Sequence, residues 1–340
     1  YPLINTDDLH GGIHIPSDGY ANAVDITQAL AKGARNRGAQ VFQDTKVTRI
    51  LHDGERATGV STPKGDINAE HVVICGGMWS RDLAASVGVN VPLHACEHYY
   101  VLFESVVGLH PDLPVLRDYD ACTYYKYDAG KLLVGAFEPT AKPWGMEGIA
   151  EDFSFDEIAG DFDHFEPVLH DAMARLPALE EAGIQKFFCG PESFTPDLAP
   201  VFGEAPELKN YFVAAGLNSV GIITGGGYGR VLAHWILNGR PDVDVTGINI
   251  DRFQHYQCNP EYRRQRALES LGLVYACHYP DRSPKTARNA RKSPFHDRLA
   301  AKGAHFRDVS GWESPAWYAP EGFEPVADSL TWGRPNCCLL

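Results

Sequence analysis

The sequence contains no run of about 18 apolar residues, so no membrane-spanning helix is predicted. It also lacks a surplus of basic residues, since its formal net charge is −14, and this argues against a nucleic-acid or anionic-membrane surface. No signal-peptide pattern opens the chain. None of its 8 cysteines forms a C-x-x-C pair. That absence argues against a zinc or thioredoxin-like site, and scattered cysteines are typical of a reducing compartment.

The chain is long and apolar enough for a sizeable core and more than one domain, with 340 residues of which 44% are hydrophobic. Residues 23–37 are predicted to form an amphipathic helix closed by Gly38. Short β runs follow and end in an apolar strand at 72–75, which leads into Gly76 and Gly77. Small residues after a strand let a ligand approach the backbone, although an ordinary turn also explains them.

Residues 91–190 have a different pattern, in which aromatic residues alternate along strand-like segments such as "HYYVLFE", "CTYYKYD" and "KLLVGAFE". The stretch "FDHFEPVLHDAMARLPALEEAGI" is predicted to form a long helix whose exit is marked by Pro177. We therefore expect an antiparallel sheet covered by a helix. The glycine-rich stretch 216–239 predicts a turn followed by a helix that begins near Gly229, and the polar chain after residue 252 predicts a connecting region without a core.

Three long motifs together resemble one family. The first, "GAQV" through "VVICGGMW", resembles the middle of a flavin-dependent amine oxidoreductase of the D-amino-acid oxidase superfamily. "CGPESFTPDLAPVFGEAPELKNYFVAAGLNSVGIITGGGYG" is similar to the flavin-contacting segment of sarcosine and dimethylglycine dehydrogenases. "SPFHDRLAAKGAHF" resembles the connector toward their folate-binding aminomethyltransferase domain. The resemblance covers nearly all of residues 1–335.

The resemblance implies an α/β fold, in which a partial FAD-binding domain carries an inserted antiparallel substrate sheet. The implied divisions are residues 1–90 (FAD-binding, middle part), 91–190 (substrate sheet plus helix), 191–252 (FAD-binding, return segment) and 253–340 (truncated connector). The chain starts with Tyr1 and contains no G-x-G-x-x-G fingerprint. We therefore expect a fragment or processed form whose phosphate-binding unit lies before residue 1. Tetrahydrofolate is implied only through a further C-terminal domain.

The resemblance also implies which residues contact FAD. Val47 matches a valine whose backbone binds the adenine end of FAD. Gly76, Gly77 and Trp79 match the residues that follow the strand beneath the flavin. The family usually has Ala-Gly where this chain has Gly76-Gly77. The implied contacts to the flavin ring and its ribityl tail are Leu217, Asn218, Ser219, Val220, Gly221 and Ile222. A tight packing loop is the alternative explanation of this glycine-rich segment.

Four residues match the substrate side of the family's site. His98 and Tyr100 match its H-x-Y motif, and Tyr124 and Tyr125 match a second aromatic pair. The histidine is a candidate base or orienting group because its ordinary pKa lies near neutrality. A buried structural histidine and sheet-packing tyrosines are the alternatives, and strand alternation lets only one of each adjacent pair face a pocket. Arg117 is a candidate partner for a substrate carboxylate, or else forms a surface ion pair with Asp118 or Asp120.

Two functions follow from the resemblance. The first is an FAD-dependent oxidoreductase of one-carbon metabolism that demethylates sarcosine or dimethylglycine and passes electrons to an electron-transfer flavoprotein. The alternative is a regulatory subunit like that of pyruvate dehydrogenase phosphatase, which "PLHACEHYY" and "DFDHFEPVL" resemble; its partner would be the phosphatase catalytic subunit. The implied location is the mitochondrial matrix in a eukaryote and the cytoplasm otherwise.

The last four residues, "CCLL", match a prenylation pattern with Cys337 as acceptor and Leu340 favouring geranylgeranyl. Because the family continues into another domain at this point, we favour truncation or a gene-model error over prenylation.

Overall fold

The computed structural model describes residues 1–327 and 329–333, so the "CCLL" terminus lies outside the described residues. The helices are α1 (Ala23–Arg35), α2 (Ser80–Ala85), α3 (Phe162–Arg175), α4 (Gly221–Asn238), α5 (Pro260–Gly272) and α6 (His296–Ala300). The strands are β1 (Arg49–His52), β2 (Ala57–Thr62), β3 (Gly65–Asn68), β4 (Val72–Ile74), β5 (His94–Phe103), β6 (Leu116–Asp118), β7 (Thr123–Asp128), β8 (Lys131–Ala136), β9 (Pro143–Trp144), β10 (Ile184–Phe194), β11 (Val201–Glu204), β12 (Tyr211–Ala215), β13 (Ala304–Val309) and β14 (Trp312–Tyr318). Within the described ranges, none of these helices is long and apolar enough to cross a membrane.

Two small sheets share one core. The first has the order β1-β2-β3 and the second β11-β12-β4, in which β12 and β4 run parallel. Apolar side chains such as Ile50, Ile74 and Val213 are buried between them. Because β4 and β12 are parallel neighbours, the loops that follow them leave from the same edge of the sheet, where open α/β folds commonly bind ligands.

A larger antiparallel sheet has the order β10-β5-β8-β7-β6, and β9 also pairs with β5. Its first face is buried against α3 through a core that includes Tyr99, Phe165 and Leu176. Beneath this core the Arg175 Nε donates to Asp118 Oδ2 at 2.6 Å, and both side chains are almost fully buried. The predicted antiparallel sheet with its covering helix is confirmed.

The second face of this large sheet is only partly covered. Helix α5 packs against one end of it, where Ala267 and Leu271 meet Phe194 and Phe137. The expectation of a connector without a core after residue 252 is therefore wrong for α5. The polar side chains that suggested a connector are largely used in internal bonds, as when Arg263 donates to the Leu93 carbonyl at 3.0 Å.

Helix α1 confirms its predicted span to within two residues: Asn22 caps its start, accepting from the Asp25 N–H, and Gly38 follows its end with φ at +95°. Helix α4 instead corrects its prediction, because it begins at Gly221 and not near Gly229. Because glycine has a low helix propensity, the sequence pattern did not predict the first two turns of this helix. Burial of Leu232 and Trp235 further along the same helix anchors it to the β11–β12 sheet.

Candidate functional site

Two glycine-containing loops meet at the carboxyl edge of β4 and β12. Ile74 is paired with Val213, so Gly76 and Gly77 leave the sheet beside the segment that starts at Gly216. Gly77 has φ at +54°, in the region that favours glycine. The structure thus brings together the two groups of residues that the sequence assigned to the flavin.

The turn between β12 and α4, residues 216–220, is fixed by side chains. Asn218 has φ at +48° and is buried; its Oδ1 accepts from the Thr195 N–H at 2.9 Å, and its Nδ2 donates to the Gly216 carbonyl at 2.7 Å. Ser219 has φ at +69°, and its Oγ donates to Glu192 Oε2 at 2.7 Å. The polar atoms of the Asn218 side chain are therefore bonded within the protein and are not available to a ligand.

The first half of α4 fits a flat, negatively charged cofactor. Within the described chain, no side chain caps the helix start. A Cβ added at Gly225, Gly226 or Gly227 would meet no atom within 4 Å. Ile222 is 47% exposed. A helix start with open N–H groups stabilises negative charge, and small residues let an aromatic ring system approach.

His98 lies on the second face of the large sheet, between two carboxylates. Its Nδ1 is 3.5 Å from Glu138 Oε2, and its Nε2 is 3.9 Å from Glu192 Oε2. Burial alone lowers the pKa of His98, but the Glu138 and Glu192 carboxylates raise it, and the net pKa lies above the ordinary imidazole value. Because Glu192 also accepts from Ser219, it connects the imidazole to the turn before α4.

Tyr100 and Tyr124 share this face with His98. Strand register places five residues in one row across the sheet: Arg117, Tyr124, Gly135, Tyr100 and Phe188. The Tyr124 ring lies over Gly135, since a Cβ there would come within 2.7 Å of Tyr124 Cε2. Tyr100 stacks on Phe188 with ring centroids 4.5 Å apart. Burial is the main reason that the pKa of the Tyr124 hydroxyl is well above its usual value, so this group stays a donor.

Tyr125 lies on the opposite face. Its side chain is fully buried in the core beneath α3, its hydroxyl is 3.0 Å from Thr123 Oγ1, and burial raises its pKa to about 12. Tyr125 therefore does not face His98. Strand alternation requires this for one of the two adjacent tyrosines, Tyr124 and Tyr125.

Three further predicted residues lie apart from His98. Val47 packs against the core of the small sheets, and Trp79 is 43% exposed at the end of the 3₁₀ turn after Gly76. Arg117 is on the open face beside Tyr119 and Tyr275. Asp118, one of its suggested ion-pair partners, is instead bound by Arg175.

Sequence reasoning missed Glu138 and Glu192. Glu138 ends the strand-like segment "KLLVGAFE" and Glu192 lies in the motif that begins "CGPESF", but no spacing links either residue to His98, which is 40 and 94 residues away in the chain. Strand register brings them together: Gly190 pairs with His98, and Glu192 is on the same face two residues later.

Comparison with known proteins shows the family. The family described as "FAD dependent oxidoreductase" matches residues 1–235, and its "FAD dependent oxidoreductase central domain" matches residues 238–293. The chain belongs to the FAD-dependent oxidoreductases, and FAD is the cofactor of that family.

Three curated relatives are similar over almost the whole chain. The 4-methylaminobutanoate oxidase (formaldehyde-forming) of Paenarthrobacter nicotinovorans is 42% identical over 99% of this chain and 40% of its own length. Human mitochondrial sarcosine dehydrogenase is 40% identical, over 96% of this chain and 36% of its own. The mouse mitochondrial pyruvate dehydrogenase phosphatase regulatory subunit is 36% identical, over 99% of this chain and 39% of its own length. The chain thus spans about two fifths of the length of these relatives.

Among solved structures, L-proline dehydrogenase from P. horikoshii matches with a TM-score of 0.59 and 22% identity, over 78% of this chain and 66% of that one. This likeness confirms the fold of an FAD-dependent oxidoreductase.

Proposed function

We propose that this chain forms the substrate face and part of the flavin site of an oxidoreductase that acts on a small N-methylated amino acid. The observation that carries the proposal is the connection from His98 through Glu192 to Ser219. It joins the imidazole that faces the open sheet surface to the turn that leads into α4. A substrate bound beside His98 would therefore lie next to the proposed flavin contacts.

The residues that would hold FAD are Gly76, Gly77, the backbone of residues 216–220 and the first turns of α4. When bound, FAD supplies the acceptor for a hydride from the C–H bond next to the substrate nitrogen. Tyr100, Tyr124 and Phe188 provide the aromatic surface on which a methylated amine packs, and the Tyr124 hydroxyl supplies a hydrogen-bond donor.

His98 has two roles that depend on pH. Below its raised pKa the ring is protonated, so it orients the substrate and cannot accept a proton. Amine oxidation requires an unprotonated nitrogen, so His98 becomes able to accept the amine proton only as the pH rises through its pKa. We therefore expect the rate of flavin reduction to increase with pH across that value.

The substrate class rests on the relatives. Their names give sarcosine, dimethylglycine and 4-methylaminobutanoate as amines to test. Each combines an amine with a carboxylate, and Arg117 is too far from His98 to bind that carboxylate, because it lies three strands from Tyr100 in the same row. Further proposals are an electron-transfer flavoprotein as acceptor and, in a eukaryote, a mitochondrial matrix location.

The test uses the full-length protein loaded with FAD under anaerobic conditions. Each of the three amines is mixed with the protein, and loss of the oxidised flavin absorption is followed in time. We expect at least one amine to reduce the flavin. His98→Asn should slow that reduction by roughly 100-fold while FAD content stays unchanged. If none of the three reduces the flavin, the proposed substrate class is wrong.

The alternative is a regulatory protein that retains the fold, supported by the 36% identity to the phosphatase regulatory subunit. Under this alternative, the full-length protein would bind the phosphatase catalytic subunit and its flavin would stay oxidised with all three amines. Co-sedimentation with that subunit, measured beside the anaerobic reduction, separates the two functions.

A further inference from the structure

Glu138 is a buried carboxylate that the sheet packing does not explain. It lies two residues beyond the end of β8 and is 2% exposed. Among the described residues, neither of its oxygens has a hydrogen-bond donor. The His98 Nδ1, itself buried and without another partner in the same part of the chain, lies 3.5 Å away. A buried carboxylate without a counter-charge is strongly unfavourable, so this pair is best satisfied as an ion pair.

Glu192 approaches the same ring from the other side. Its Oε2 is 3.9 Å from His98 Nε2 and accepts from Ser219 Oγ at 2.7 Å. The imidazole ring also packs on Phe137, with centroids 5.0 Å apart. The ring is thus held in one orientation, with one carboxylate facing each nitrogen.

We propose that Glu138 and Glu192 are positioning residues that hold His98 as an imidazolium, with Glu138 fixing the proton on Nδ1. Two carboxylates around one imidazolium leave a single net negative charge on this face. That charge matches one ammonium group, so this face of the sheet favours a small substrate that carries a single ammonium group. This last step rests on the proposed function, whereas the state of His98 does not.

Other groups beside His98 do not change this charge balance. Tyr124 and Tyr100 face it from β7 and the same strand, and both hydroxyls stay neutral because burial raises their pKa. Cys96 on β5 is fully buried, and burial, reinforced by the same two carboxylates, keeps its thiol protonated. The charged groups acting on the imidazole are therefore the two glutamates.

The test is a pH titration of His98 in the full-length protein, followed by NMR on histidine labelled with ¹³C at Cε1. The His98 signal is assigned as the one that His98→Asn removes. We expect Glu138→Gln to lower the His98 pKa by about one pH unit or more, the effect of losing a close opposite charge. Glu192→Gln should lower it less, because that carboxylate is further away and partly exposed. Glu104→Gln, just beyond the end of β5, should leave it unchanged.

An unchanged His98 pKa in Glu138→Gln would overturn the proposal. If that variant fails to fold, Glu192→Gln decides, and an unchanged pKa there also overturns it. The low-pH limb of flavin reduction should shift to lower pH with the NMR value. A shifted NMR pKa without reduction by any amine would retain the imidazolium and reject the substrate class. Flavin reduction by an amine together with an unshifted His98 pKa would retain the substrate class and reject the imidazolium.

Discussion

Gly216 is the residue at which β12 turns toward α4, and Gly216→Ala should disturb that turn. Its φ is +63°, in the left-handed region. A Cβ there would lie 2.7 Å from Thr195 Cγ2 and closer still to the Leu93 side chain. Thr195 is one of the residues that hold the buried Asn218, so the clash is passed directly to the turn.

The cost has two parts. The left-handed backbone costs alanine about 1–2 kcal/mol, and forcing a methyl group into a packed site costs about 1–3 kcal/mol more. We therefore expect Gly216→Ala to lower the free energy of unfolding by about 2–5 kcal/mol. Gly88 is the matched control: its φ is +76°, but a Cβ there meets nothing within 4 Å. Gly88→Ala should lower the free energy of unfolding only by the cost of the left-handed backbone.

Urea unfolding of the full-length variants measures both costs, and the unfolded-state effect of replacing glycine cancels between them. Flavin content per protein, read from the absorption spectrum, is the second measurement. Gly216→Ala should lower it and Gly88→Ala should not. Equal stability losses in the two variants would show that the packing around Gly216 is not as described, and a normal flavin content would show that this turn does not contact the cofactor.

Three other predictions use the same protein. Tyr124→Phe should slow flavin reduction with little effect on stability, whereas Tyr125→Phe should lower stability and leave the reduction rate of the folded protein nearly unchanged; stopped-flow reduction and urea unfolding separate the two. Arg175→Met leaves the buried Asp118 carboxylate unpaired and should lower the free energy of unfolding by about 3–5 kcal/mol, while Arg230→Met, from an exposed ion pair, should lower it much less in the same assay. Because the folded-state pKa of His98 is raised, its contribution to stability should be fully present below the ordinary imidazole pKa and be lost as the pH rises through the folded-state pKa. The measurement is the difference in unfolding free energy between the wild type and His98→Asn at each pH. A difference that does not fall over this interval would contradict the described environment of His98.

The segments that local chemistry controls were predictable. Helix α1 has its cap at Asn22 and its closing glycine at Gly38, and both signals lie within the segment itself. The alternation of β7 likewise predicted that Tyr124 and Tyr125 face opposite sides, although not which one faces His98. That choice depends on where α3 packs, because the face it covers becomes the core and buries Tyr125.

The start of α4 shows the limit of local signals. Five glycines within residues 221–229 made a turn the better prediction, but packing further along the helix offsets their low propensity. The surroundings of His98 are another example, since its two carboxylates come from distant parts of the chain.

By itself the sequence determined the family, the order of the main elements and the residues that match the flavin contacts, because these are carried by contiguous motifs. Only the tertiary structure decided which tyrosine shares a face with His98, which side chains fix the turn at Asn218, and that Glu138 and Glu192 surround the imidazole. The physical reason is that pairing between strands and burial act between residues far apart in the chain, and a pattern read along one segment contains no record of its partner across the sheet.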